Sequence, residues 1–166
     1  MIRGIVRMAT IVTIATVLLS VGCAEQPTAF RDATEHGGLS LELSLERTVV
    51  PVGDSGTITM RLRNETFKAV RLSFGSSCQI LPYIETEAGA VLYPGGGGWM
   101  CFDVVTSLEV PAFGVVTRTF VVRGVARAEG LSDASLSPGD YRAYALLGEG
   151  PRELLLRSPA VGFQVR

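Results

Sequence analysis

The chain has 166 residues, of which 47% are hydrophobic and 19% charged, and its formal net charge is −1. This length suits one domain, and the low charge content excludes an intrinsically disordered protein. A nearly neutral chain also lacks the basic excess of nucleic-acid-binding proteins, so we predict no nucleic-acid partner. The 19 Gly and 8 Pro residues are typical of many short strands joined by turns.

The N-terminal segment has the pattern of an export signal. Two arginines precede an apolar run, residues 8–19, that contains no charged residue. The run has the length of a signal-peptide core and is shorter than the ~20 residues that span a bilayer. Gly22 before Cys23 resembles a bacterial lipobox, where the signal is cleaved and the cysteine acylated. The resemblance implies a lipoprotein signal peptide over residues 1–22 and lipidation of Cys23. An ordinary secretory signal and an uncleaved anchor are the alternatives.

A polar segment, residues 23–38, follows and shows neither period of regular secondary structure. It carries Pro27 and the chain's only histidine, His36, and it ends in two glycines. We interpret it as a flexible tether with an extended reach of roughly 50 Å, and His36 as an exposed spacer residue. The predicted location is the cell envelope, lipid-anchored and exported to the outer membrane or cell surface. If Cys23 is not acylated, the protein is expected to be secreted.

From residue 39 the sequence alternates between apolar and polar residues, which is the pattern of strands with one buried face. Residues 39–45, 57–63 and 70–74 share this rhythm and are predicted to form one antiparallel sheet with a solvated face. Further strands or extended segments are predicted over residues 79–86, 90–93, 99–110, 115–122, 141–147, 153–157 and 160–165. Residues 39–166 are therefore predicted to form an all-β, antiparallel β-sandwich of about seven or eight strands.

Tyr141 follows the turn Pro138-Gly139 at the start of a late strand. Ig-like sandwiches place a tyrosine corner at such a position, where the hydroxyl bonds to the backbone upstream. A plain turn followed by a core tyrosine is the alternative.

Several turns and strands together resemble one family of bacterial domains. The residues that carry the resemblance are Val52-Gly53-Asp54, Leu62-x-Asn64-x-Thr66, Val70-x-Leu72-x-Phe74-x-Ser76, Gly89 and Pro138-Gly139-x-Tyr141. They resemble the BsuPI family, which is named for an intracellular proteinase inhibitor of bacilli. The resemblance covers roughly residues 39–165 and implies an Ig-like β-sandwich, with proteinase inhibition as an alternative activity.

Cys78 and Cys101 remain as a pair once Cys23 is assigned to the lipid anchor. Because an exported domain meets an oxidising compartment, we predict a disulfide between them. The bridge would close a loop of about 24 residues and stabilise the domain by about 3 kcal/mol. Two separate buried thiols are the alternative. A zinc site would need more ligands than this pair offers, and a cysteine nucleophile would need a histidine in the domain.

The segment before Cys101 is a candidate binding loop. Tyr93, Trp99 and Met100 flank four consecutive glycines, residues 95–98. Loops on rigid scaffolds often carry function, and tryptophan often contributes a large share of binding energy. We predict that Trp99 folds back to cover the disulfide, which is then structural, and that partner contact is the secondary role of the loop; a primary binding role for Trp99 is the alternative.

The sequence shows no catalytic set, phosphate loop or calcium loop, so we predict no enzyme activity, cofactor or metal. Glu85 and Glu87 are interpreted as a solvated strand face. Arg61, Arg63 and Arg71 are interpreted as solvated, with a basic stripe for an acidic partner as the alternative. The predicted function is that of an interaction module on a lipid tether, with an unknown envelope protein or a protease as partner. A BsuPI-type proteinase inhibitor, and a hydrolase that uses Ser and Asp without His, are the alternatives.

Overall fold

A computed structural model describes residues 37–95, 98–127, 134–148 and 156–166. The predicted signal peptide, and the tether as far as His36, lie outside the described residues. Within the described ranges the chain forms twelve strands and no helix, so the predicted all-β class is confirmed. None of these residues therefore belongs to a helix long and apolar enough to cross a membrane.

The strands are short, and most end at glycine- or proline-containing turns. In chain order they are β1 (Leu39–Leu45), β2 (Val49–Val50), β3 (Ser55–Asn64), β4 (Val70–Phe74), β5 (Ile80–Thr86), β6 (Val91–Tyr93), β7 (Thr106–Val110), β8 (Val115–Gly124), β9 (Ser135–Leu136), β10 (Gly139–Leu147), β11 (Leu156–Arg157) and β12 (Val161–Val165). Three of them, β2, β9 and β11, have only two residues, which is too short for an alternating pattern to be visible in the sequence. This is why the structure has more strands than the seven or eight predicted.

Two sheets enclose the core of the domain. One has the order β1-β3-β8-β9, and the other has the order β2-β12-β10-β5-β6 with β11 beside β10. Most pairs are antiparallel, but β2 runs parallel to β12 and β9 runs parallel to β8, so both sheets are mixed. The predicted sandwich is thus confirmed, while its purely antiparallel pairing is corrected at these two short strands.

The alternating residues of the facing strands fill the core as the sequence predicts. Leu41 on β1, Ile58 and Leu62 on β3, and Ile84 and Leu147 on the second sheet are all buried. Because successive side chains of a strand point to opposite faces, each sheet contributes every second residue to this one core.

The third predicted strand does not join the first two. β4 pairs only with β7 within the described chain, and the two form a separate antiparallel ribbon from Val70–Val110 to Phe74–Thr106. β3 already has β1 on one side and β8 on the other, so neither of its edges is open to β4. Arg71 therefore does not lie on a strand next to Arg61 and Arg63, and the proposed basic stripe across neighbouring strands is not formed.

Candidate functional site

One end of the β4–β7 ribbon is closed by a covalent bond. Cys78 and Cys101 form a disulfide with their Cα atoms 5.5 Å apart, which confirms the predicted pairing. Cys78 follows β4 and Cys101 precedes β7. The bridge therefore joins the two chain segments just beyond the last residue pair of the ribbon.

Hydrogen bonds tie the same two segments together next to the disulfide. The amide of Ser77 donates to the carbonyl oxygen of Phe102 at 3.0 Å, and the amide of Phe102 donates to the Ser77 hydroxyl at 2.9 Å. The hydroxyl of Thr106 donates to the Ser76 carbonyl at 2.6 Å. Residues 99–105, which we call the clamped loop, thus start from a base fixed by one covalent bond and several hydrogen bonds.

The clamped loop presents large apolar side chains to solvent. Met100 is 97% exposed, Phe102 78% and Val105 80%, with the exposed Asp103 and Val104 between them. Of this group, the sequence singled out Met100 alone. Residues 99–105 belong to no strand and β7 begins only at Thr106, so the extended structure predicted from residue 99 is not a strand at its start. The exposure of Phe102, Val104 and Val105 was missed in the sequence because consecutive apolar residues are also typical of a buried strand. Their pattern does not indicate which of them remain exposed to solvent.

Trp99 folds back onto an aromatic cluster of the domain. Its ring meets Tyr93 edge-on at 5.1 Å between centroids, and it also meets Tyr83 at 6.4 Å and Phe120 at 6.5 Å. Tyr93 in turn packs on Phe120 at 4.9 Å. Two of the three predicted loop residues are thus partly buried anchors, and Met100 is the exposed one. Gly96 and Gly97 lie outside the described residues.

The outer face of the second sheet holds an acid that the sequence interpretation assigned to solvent. Glu85 is buried and lies 2.9 Å from Arg142 and 3.8 Å from Arg157. The guanidinium of Arg157 stacks 3.7 Å above the ring of Tyr144, which itself stacks on Tyr83 at 5.3 Å. The prediction of a solvated position is therefore wrong for Glu85, because side chains from β10 and β11 cover this residue. Glu87 lies past the end of β5 and is exposed.

This cluster is built to hold its charges in place. Burial raises the pKa of the Tyr144 hydroxyl; Arg157 opposes the rise and Glu85 adds to it. Arg142 and Arg157 form ion pairs with the Glu85 carboxylate on the sheet surface, and the neutral Tyr144 ring stacks beneath Arg157. Its evident role is to fix β5, β10 and β11 against one another.

Tyr141 makes the upstream contact that defines a tyrosine corner. Its hydroxyl donates to the carbonyl oxygen of Ser137 at 2.6 Å. Burial raises the pKa of this hydroxyl, and the nearby Asp140 adds to the shift. The side chain therefore holds the turn before β10, a structural task, and lies apart from the clamped loop.

The other end of the ribbon is closed by an amide that the sequence marked only as part of a turn. The buried Asn64 donates through Nδ2 to the carbonyl oxygens of Lys68 at 2.7 Å, Pro111 at 3.0 Å and Val110 at 3.2 Å. Its Oδ1 accepts from the Thr66 amide at 2.9 Å and the Thr66 hydroxyl at 2.8 Å. One side chain thus joins the loop after β3 to the loop after β7.

No metal site is evident in the described ranges. They contain no group of three or more His, Cys, Asp or Glu residues placed to hold an ion.

The sequence matches none of the protein-family models and none of the curated proteins. Similar solved structures include the CARDB domain of a Pyrococcus furiosus protein, 13% identical, with coverage of 77% of this chain and 94% of that chain and a TM-score of 0.43. The C-terminal domain of wzt is 15% identical, with coverage of 85% and 80% and a TM-score of 0.44. A β-glucosidase from Erythrobacter marinus is 14% identical with a TM-score of 0.44; the match covers 77% of this chain but only 15% of the enzyme. At such identities and scores these likenesses carry no argument about function.

Proposed function

We propose that the protein is an exported lipoprotein, acylated at Cys23, whose β-sandwich binds a partner protein of the cell envelope through the clamped loop. The observation that carries the binding role is the exposure of Met100, Phe102 and Val105 beside a disulfide. Exposed apolar side chains that lie close together mark protein interaction sites more often than chance surface residues do.

The clamp supports binding for an energetic reason. A loop that is already ordered loses little conformational freedom when a partner binds, so more of the contact energy appears as affinity. The bridge and the Ser77–Phe102 hydrogen bonds supply that order on one side. Trp99 supplies it on the other by packing on the aromatic cluster. Met100 and Phe102 are then the side chains free to enter a pocket of the partner.

The lipid anchor is tested by cell fractionation. We expect Cys23→Ser to move the protein from the membrane fraction to the soluble fraction, since several acyl chains hold a protein firmly on a bilayer. Cys78→Ser should leave the distribution unchanged, because it removes a cysteine outside the lipobox-like sequence. An unchanged distribution of the Cys23→Ser protein would remove the lipoprotein proposal.

The binding role is tested by capture from a detergent extract of the envelope. Wild-type protein should retain a partner, and Phe102→Ser should capture about tenfold less of it. The reason is that an exposed aromatic anchor contributes roughly 1 kcal/mol or more to binding. Phe67→Ser is the matched control, because Phe67 is 74% exposed and lies beyond the other end of the ribbon. Equal capture by both variants would contradict the assignment of the clamped loop.

A second candidate function uses the same loop. The BsuPI resemblance implies a proteinase inhibitor, and an exposed segment next to a disulfide, with Met100 and Phe102 at its surface, is a segment that a protease cleft can grip. We propose titration of a protease with an apolar specificity pocket as the test. Stoichiometric inhibition that is lost in Phe102→Ser would favour this candidate, and rapid cleavage without inhibition would reject it.

A further inference from the structure

Two exposed phenylalanines lie on the loops joined by Asn64. Phe67 is 74% exposed and Phe113 is 68% exposed. The amide of Phe113 donates to the carbonyl oxygen of Thr66 at 3.0 Å, so the two loops are in direct contact. The described chain thus has a second apolar surface, separated from the clamped loop by the five residue pairs of the ribbon, or about 13 Å.

The described chain begins at this same surface. The amide of Glu65 donates to the carbonyl oxygen of Gly38 at 2.7 Å. Gly38 has a φ of 77°, and a Cβ atom there would collide with the methyl group of Thr66. The start of β1 is therefore packed against the loop that carries Phe67. We call Phe67, Lys68 and Phe113 the junction surface, because residues 1–36 join the domain beside it.

The junction surface carries a cation as well as aromatic rings. Lys68 is the only lysine of the chain, and its Nζ lies 5.5 Å from the centroid of the Phe67 ring. Side chains that combine aromatic rings with a cation suit the headgroup region of a bilayer, where rings enter the acyl boundary and lysine meets anionic lipid.

Phe113 is held outward at a conformational cost. Its φ is 52°, in the left-handed region where glycine and asparagine are favoured and bulky residues are rare. The turn Pro111-Ala112-Phe113-Gly114 could be made with a small residue at that place. A phenyl ring displayed to water there has no packing reason within the described domain.

We propose that the junction surface rests on the lipid bilayer to which the chain is anchored, with Phe67 and Phe113 at the level of the headgroups and Lys68 beside anionic lipid. This inference depends on the lipid anchor proposed above. Gly38 lies 15 residues after Cys23, and a flexible chain of that length has a mean end-to-end distance of only about 20 Å. The anchor thus keeps the surface close to the membrane, where weak contacts suffice to orient the domain. The clamped loop, at the other end of the ribbon, then remains available to a partner.

The test places a fluorescent side chain at each end of the ribbon. The acylated full-length protein is incorporated in vesicles of phosphatidylethanolamine and phosphatidylglycerol, with or without brominated acyl chains. Phe113→Trp probes the junction surface, and Phe102→Trp is the matched control on the clamped loop; Trp99 gives the same background in both. We expect bromolipid to quench the added emission at 113 about threefold more than at 102, because the bromines lie in the acyl region. Phe67→Trp gives an independent probe if the first variant does not fold.

The outcomes separate the orientation of the domain from its anchoring. Equal quenching at 113 and 102, or quenching at neither, in protein that floats with the vesicles would overturn the junction surface and leave the anchor intact. Protein that does not float would reject the anchor, and the orientation with it. A blue shift at 113 that grows with protein density and ignores bromolipid would instead show contact with a second copy, which overturns the proposal.

A charge variant tests the role of Lys68. Lys68→Glu should weaken quenching at 113 in vesicles with phosphatidylglycerol and have less effect in vesicles of phosphatidylcholine alone. Arg71→Glu is the control, because Arg71 lies on β4 within the ribbon and outside the junction surface. Equal effects of both variants would overturn the part assigned to Lys68.

Discussion

The two ends of the β4–β7 ribbon reach the same result with different chemistry. At one end the Cys78–Cys101 disulfide joins the two segments, and at the other the amide of Asn64 does so through five hydrogen bonds. Both ends then display phenylalanine to solvent, Phe102 at the first and Phe67 and Phe113 at the second. A short ribbon that is not part of either main sheet needs closure at both ends, because five residue pairs alone are marginally stable.

The difference between the ends lies in what surrounds each closure. Asn64 is buried at the end of β3, so its polar atoms are shielded from water and each hydrogen bond counts. The disulfide acts chiefly by restricting the unfolded chain and needs no burial to do so. We therefore expect the disulfide end to tolerate loop substitutions better than the Asn64 end.

The largest loss of stability is expected when the disulfide that closes one end of the ribbon is removed. Replacement of both cysteines, Cys78→Ala with Cys101→Ala, should lower the free energy of unfolding by about 3 kcal/mol and the melting temperature by roughly 10 °C. The measurement is thermal unfolding of the oxidised protein in a Cys23→Ser background, which removes the third thiol. Wild type treated with reductant should match the double variant. Equal melting temperatures with and without the bridge would contradict its structural role.

At the Asn64 end a single substitution should approach that effect. Asn64→Ala removes a buried amide whose Nδ2 and Oδ1 contact five backbone and side-chain partners, the buried Val110 carbonyl among them, so we expect a loss of about 2–3 kcal/mol. Thr66→Val is the matched control: it keeps the shape and the amide hydrogen bond and removes only the hydroxyl. That variant should lose about 1 kcal/mol in urea unfolding. A smaller loss for Asn64→Ala than for Thr66→Val would break the comparison between the two ends.

The exposed rings should respond in opposite directions to glycine. Phe113→Gly removes the steric strain of a positive φ at a bulky residue and should raise the free energy of unfolding by about 0.5 kcal/mol. Phe102→Gly should lower the free energy of unfolding by a similar amount, because Phe102 has no positive φ and glycine there only makes the unfolded backbone more flexible. Chemical unfolding of both variants gives the measurement. Destabilisation by Phe113→Gly would mean that the ring packs in solution and would weaken the junction surface.

The smallest effect, a dependence on pH, should arise away from both closures. The Ser55 amide, and then Arg47, lower the pKa of the exposed Asp54 carboxyl below its ordinary 3.8. A lowered pKa in the folded state stabilises the protein above the unfolded-state pKa, and the contribution disappears as pH falls through the folded-state value. Asp54→Asn should therefore flatten the acid side of the stability profile slightly. The two closures contribute no such dependence, because neither a disulfide nor an amide side chain titrates in mild acid. If the slope of the free energy of unfolding against pH were the same in Asp54→Asn as in the wild type, the acid sensitivity would arise from another group.

Local pattern was sufficient for several features of the molecule. Alternation over residues 39–45 and 57–63 predicted β1 and most of β3, because a half-buried strand must place every second residue in the core. An even number of cysteines beyond Cys23 predicted the bridge, because the candidates were reduced to one pair. The Pro-Gly turn before Tyr141 indicated the place where its hydroxyl bonds to Ser137. Each of these depends on residues that are neighbours in sequence or on a simple count.

Features that depend on which segments meet were settled by the tertiary structure alone. Alternation shows that a strand has a buried face but not which strand lies beside it, so the sequence could not separate β4 from β3. Glu85 is buried because Arg142 and Arg157, far along the chain, lie over it, and Phe102 is exposed because nothing in the described domain covers it. The sequence by itself thus determined the longer alternating strands, the disulfide and the fold class. The ribbon, the Asn64 closure and the two apolar surfaces were decided by long-range packing, because burial belongs to the neighbours a residue acquires on folding.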